Sequence, residues 1–116
     1  MRVLTIGRDQ ELQLLRARVL MLSGIDVITP TSTEEAAAAI WTTELDALLL
    51  CYSLPSKDAL FLAELFRQFR PQGCLVAITN HSLPDRRIGA DVQIPGIAGP
   101  EAIIAILKRK CVLHPA

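Results

Sequence analysis

Leu45-Asp46-Ala47-Leu48-Leu49-Leu50-Cys51-Tyr52-Ser53-Leu54-Pro55 is the stretch that decides the fold. From Ala47 to Tyr52 the run is apolar without alternation, the pattern of a parallel strand covered on both faces rather than of a half-solvated one. It ends in a polar tip and a Pro loop. Such a strand belongs at the centre of a sheet, and each parallel pairing needs a crossover long enough to hold a helix.

Read outward from this strand, the chain supplies those crossovers. Val3 to Ile6 is a short apolar strand. Gln10 to Ser23 follows, with Leu12, Leu15, Val19 and Leu22 at helical spacing and Arg16 off that face; Asp9 suits its start and Gly24 its end. Ile25 to Thr29 reads as a second strand. Ser32 with Glu35 forms a capping box that opens an Ala-rich helix, Glu34 to about Thr42. On the other side, Asp58 to Arg70 is helical, with Leu62, Leu65, Phe66 and Phe69 together. Cys74 to Ile78 is a buried strand and Val92 to Ile94 a last short one. Pro100 then opens a helix to about Lys110 with Ile103, Ile104 and Leu107 inward.

Strands alternating with helices imply an α/β, doubly wound, five-stranded parallel sheet with helices on both faces. In the flavodoxin-like order 2-1-3-4-5 the functional crevice lies at the carboxyl ends of the first and third strands. Gly7, Arg8, Asp9, Cys51 and Tyr52 would line it. The domain is expected over residues 1–110, with 111–116 a flexible tail.

The 116 residues suit one domain that buries roughly two-thirds of its unfolded surface, and 51% are hydrophobic. Twelve Lys plus Arg balance twelve Asp plus Glu, so no overall field draws the chain to nucleic acid or anionic lipid. No apolar run approaches the about 20 residues of a membrane span, and a cytoplasmic protein is expected. Cys51, Cys74 and Cys111, an odd number without a CxxC or Cys/His cluster, are expected as free thiols. His81 and His114 lack ligand neighbours, and no glycine-rich phosphate loop follows the first strand, so no cofactor is expected.

With this order of elements, Leu48 to Pro55, the strand-end Thr79, the Gly89-Ala90-Asp91 turn and Pro100-Glu101 give a pattern that resembles the receiver domains of bacterial response regulators, the phosphorelay switches of two-component systems. The resemblance spans about Met1 to Lys110. It implies that Cys51 stands where receivers carry the phospho-acceptor Asp, and that Gly7 and Arg8 replace the acidic pair that holds Mg2+, with Asp9 one place further. Gly96 stands for the phosphate-pairing Lys and Ile97 for the Pro after it. Of the functional positions only Thr79 matches.

A working receiver pocket combines three carboxylates and one Lys, net about −2, which suits a hard divalent cation. Arg8, with or without Asp9, leaves this one at +1 or zero. No Mg2+ binding, no phosphotransfer and no enzymatic activity are expected, since acyl-phosphate formation lacks both nucleophile and charge neutralisation. The chain reads as a degenerate pseudo-receiver.

Only nine residues, Asn80 to Ile88, with Pro84 among them, stand where receivers place a full fourth helix, so that helix is expected to be shortened. The resemblance makes this region and its neighbours a partner or dimer face, with Arg86, Arg87, Ile94 and Lys108 as candidates; its charges would suit an acidic partner. Trp41 is expected at the core edge. The favoured function is phosphorylation-independent contact with a protein partner, a second copy included. One alternative is a redox- or phospho-reactive Cys51 switch, with Arg8 lowering the thiol pKa. Another is a small-ligand sensor using the vacated pocket, in which Arg8 and Lys57 would hold an anion.

Overall fold

The computed structural model describes residues 1–80 and 86–110, with Arg86 and Lys110 described by backbone alone. In chain order the elements are β1 (Arg2–Ile6), α1 (Gln10–Leu22), β2 (Asp26–Ile28), α2 (Thr33–Thr42), β3 (Ala47–Cys51), α3 (Ser56–Phe69), β4 (Cys74–Thr79), β5 (Val92–Pro95) and α4 (Pro100–Lys110). The strands form one parallel sheet in the order β2-β1-β3-β4-β5, as the sequence implies. All five residues of β3 are buried, which fits its central place.

Register sets the site. Ile6 pairs with Leu50, Cys51 with Ile78 and Thr79 with Pro95, so Gly7, Cys51, Thr79 and Gly96 all lie at the carboxyl ends of adjacent strands. Alternation along each strand divides the core. Leu4, Ile6, Leu48, Leu50 and Leu75 pack with Ala36 and Ile40 of α2 and Leu62 and Phe66 of α3. Val3, Leu49, Val76, Ile78 and Ile94 pack with Leu20 of α1 and Ile103 and Leu107 of α4. Each buried Leu, Ile, Val or Phe among them contributes roughly 1.5–3 kcal/mol against exposure.

The helix starts follow local chemistry. Asp9 accepts from Leu12 N at 3.1 Å, and Ser32 from Glu35 N at 3.1 Å. Glu35 reaches back one residue beyond the expected box, to the backbone N–H and hydroxyl of Thr31. These bonds hold its carboxyl below the usual range. Gly24 takes φ +87° just after α1, a conformation that L side chains rarely adopt.

Four expectations need correction. The inward face of α1 is Gln13, Arg16, Ala17 and Leu20, whereas Leu15 and Leu22 are 58% and 83% exposed. Leucines lie all around this helix, so spacing could not choose a face; polar groups on β1 and β3 turned Gln13 and Arg16 inward. Trp41 lies outside the core, 65% exposed, with an edge contact to Phe69 at 6.4 Å. Ile94 is 3% exposed and part of the core, so it offers no partner surface. Cys74 is disulfide-bonded rather than a free thiol. Between β4 and β5 the described residues form one 3-10 turn, Arg86–Ile88. Pro84, His81 and the expected tail lie outside the described residues.

Candidate functional site

The strand ends bring Gly7, Cys51, Thr79 and Gly96 to one rim, but the centre belongs to side chains from α1. Cys51 follows Ala47 and Leu49 in alternation, which turns its sulfur toward the α1 face. There Arg16 Nη1 donates to Sγ at 3.1 Å. Ser53 Oγ donates to the same sulfur at 3.5 Å and accepts from the backbone N–H of Arg8 at 2.9 Å. Thr5, inward on β1, donates to Gln13 Oε1 at 2.7 Å. Gln13 Nε2 is buried without a partner among the described residues.

This cluster leaves no room beside Cys51. A Cβ on Gly7 would collide with Gln13 Nε2 and come within 2.7 Å of Cys51 Cβ and 2.9 Å of Ser53 Oγ. On the far side, a Cβ on Gly96 would lie 3.2 Å from Tyr52 Cε1 and from the Thr79 carbonyl oxygen. Glycine is required at position 7 by close approach.

Electrostatics set this site apart from a cation pocket. Arg16 is only 5% exposed and has no carboxylate within ion-pair distance among the described residues. A buried guanidinium without an anion is costly, and the sulfur is the group placed to supply one. Burial is the largest influence on Cys51 and raises its pKa. The hydroxyl and backbone N–H of Ser53, with the hydrogen bond and charge of Arg16, outweigh it and leave the thiol below its ordinary value.

Arg8 was expected to be the cation at the thiol, but its side chain is exposed and only its backbone joins the cluster. Asp9 caps α1 and Thr79 is half-buried. The open cleft, about 210 Å³, lies to one side, between the loops after β1, β2 and β3. Gly7, Arg8, Thr31, Ser32, Pro55 and Asp58 are among its walls; Cys51, Tyr52 and Lys57 are not. Arg87 and Lys108 are exposed. The residues at Cys51 do not fit Mg2+: they offer a sulfur and a cation, and no group of three or more His, Cys, Asp or Glu among the described residues could hold a metal ion. Among those residues, too, no helix is long and apolar enough to cross a membrane.

Sequence reading missed Arg16, Gln13, Ser53 and Thr5. The available signal was the polar pair Gln13 and Arg16, one turn apart in a leucine-rich helix, opposite a strand carrying Thr5.

Comparisons place this geometry among known folds. The sequence matches no family model and no curated protein. Among solved structures, the receiver domain of a CheY-like response regulator from Methanospirillum hungatei JF-1 superposes with a TM-score of 0.83 at 21% identity, over 95% of this chain and 92% of that one. The fold is that of response-regulator receivers. The non-phosphorylated HemR receiver domain from Leptospira biflexa gives 0.82 at 20% identity, over 99% and 97%. The response regulator TrrA from Thermotoga maritima, in complex with Mg(2+)-BeF, gives 0.79 at 18%, over 93% and 96%. At these identities the likeness to receivers is one of fold.

Proposed function

We propose that this chain is a receiver-like domain of signal transduction that works by protein contact, without phosphotransfer and without catalysis. The observation that carries the reading is the Arg16 guanidinium 3.1 Å from Cys51 Sγ. At the strand end where the receiver resemblance places a metal-binding carboxylate, a buried cation holds a 2% exposed sulfur. A second cation brought there meets repulsion, and a phosphoryl donor meets a sulfur at the strand end where the resemblance places a carboxylate. Incubation with a small phosphodonor and Mg2+ is expected to leave the intact mass and the melting temperature unchanged. A stoichiometric gain of one phosphoryl group overturns the reading.

The same contact favours a second reading, in which Cys51 is a thiolate whose modification reports on the cell. With iodoacetamide the thiolate displaces iodide and forms an S–C bond. Its rate in the folded chain, compared with Cys51→Ser, then stays above that of ordinary thiols at pH 6. Folded-state alkylation no faster at pH 6 than in denatured protein removes this reading.

A further inference from the structure

The rotation of α1 that turns Gln13 and Arg16 inward has a counterpart outside. Leu14 and Leu15 are each 58% exposed, Met21 is 53% and Leu22 is 83% exposed. Glu11 and Arg18 lie on the same outer stripe and are also exposed. At 100° per residue, Glu11, Leu14, Leu15, Arg18 and Leu22 fall opposite the buried residues Gln13, Arg16, Ala17 and Leu20. Four large apolar side chains side by side on one helix form an unusual water-facing surface, the kind that marks an interaction site.

The charges on that stripe say what covers it. Glu11 and Arg18 are seven residues apart, about 10.5 Å along the axis, too far to pair within one helix. Neither makes a hydrogen bond or ion pair with any described residue. In an antiparallel pairing of two α1 helices about a twofold axis between Leu14 and Leu15, Glu11 of each copy faces Arg18 of the other. Leu14 then meets Leu15 across the axis, and the two ion pairs flank a four-leucine centre. A twofold interface requires such self-complementarity, in which residue i meets j and j meets i.

We infer that two copies of this chain associate through antiparallel α1 helices, with Leu14 and Leu15 at the centre and Glu11–Arg18 pairs on either side. This names the partner within the contact reading above and rests on it only in taking the domain to act by contact. It moves the expected dimer face from the β5 and α4 side, where Ile94 is buried, to α1.

Sedimentation velocity over about 1 µM to 1 mM on the full chain, at low salt, tests it. The wild-type chain is expected to pass from monomer to dimer in this range. Arg18→Glu or Glu11→Arg alone places like charges opposite one another twice per dimer, and dimerisation is expected to weaken at least about tenfold. The double variant Glu11→Arg with Arg18→Glu is expected to restore it to within about threefold of wild type. Both side chains are exposed and pair with no described residue, and unchanged melting temperatures of the monomers verify that folding is not at issue. A wild-type monomer throughout, as for a surface kept for another protein, overturns the proposal. A dimer indifferent to the single changes overturns it too, as does a double variant as monomeric as the singles. Phosphoryl uptake, read by mass, would remove the earlier reading and leave this one standing.

Discussion

The sulfur of Cys51 and the guanidinium of Arg16 form a pair in which each partner makes the other tolerable. Arg16 brings a permanent charge into the interior, and the thiol, with its pKa lowered, can answer it as a thiolate. Replacing Cys51 by Ser keeps an acceptor but removes the anion, and is expected to destabilise the chain most at alkaline pH, by about 3 kcal/mol at most, the range found when one member of a buried ion pair is lost. The sign of its pH dependence is fixed. A group whose folded-state pKa is depressed contributes fully above its unfolded pKa, about 8.5 for a thiol, and loses that contribution as pH falls through the folded value. Urea unfolding of both chains between pH 5 and 9 should show the gap widening with pH; a constant gap would mean that Cys51 stays a neutral thiol. Cys51 stands out in the sequence as a strand-end thiol. Its partner does not, because nothing in a linear reading says which face of a leucine-rich helix turns inward.

Among the elements, α1 and the turn before β5 are held in opposite ways. In α1 the apolar residues exceed what one face can bury, so the helix could settle either way, and the hydroxyl of Thr5 and the sulfur of Cys51 decided for Gln13 and Arg16. By contrast α3, with Leu62 and Phe66 aligned, could be read at sight because its other face carries Lys57, Glu64 and Gln68, with Phe61 as its large apolar exception. The turn Gly89-Ala90-Asp91, legible as a family-like motif, owes its place to Arg67 on α3. That side chain donates to the Gly89 carbonyl at 3.0 Å and pairs with Asp91 at 3.0 Å, while Asp91 accepts from Leu75 N at 2.8 Å. Partial burial raises the Asp91 pKa most, but Arg67 and the Leu75 N–H together outweigh it and leave it low. Asp91→Asn is expected to destabilise by about 1 kcal/mol at pH 7, since both side chains are partly solvated. As pH drops through the depressed folded pKa, below the model-peptide range near 4, the wild-type advantage should vanish. Thermal melts at pH 7 and pH 2.5 check this, and an equal deficit at both would point to lost packing instead.

For the molecule as a whole, the parallel order was legible because β3 reads as apolar without a break and the crossovers between strands are long enough for helices. Partners of the edge loops were not, since they depend on which helix turns meet which strand ends. The sheet predicts its own hierarchy of opening. Amides of Leu48 to Leu50, paired on both sides and buried, should exchange most slowly; those of Asp26 to Ile28, on an edge strand with three register pairs, should exchange far sooner. Mass-resolved hydrogen exchange reads this directly, and equal protection would contradict the central place of β3. The crowding around Gly7 and Gly96 bears also on which side chains the rim admits. A carboxylate at position 7 displaces Gln13, Cys51 and Ser53, a lysine at 96 meets the ring of Tyr52, and an aspartate at 51 alone would be claimed by Arg16. Each of these three positions is therefore already answered by a neighbour, sterically at 7 and 96 and electrostatically at 51, so the rim tolerates a new group at one of them only if that neighbour moves with it.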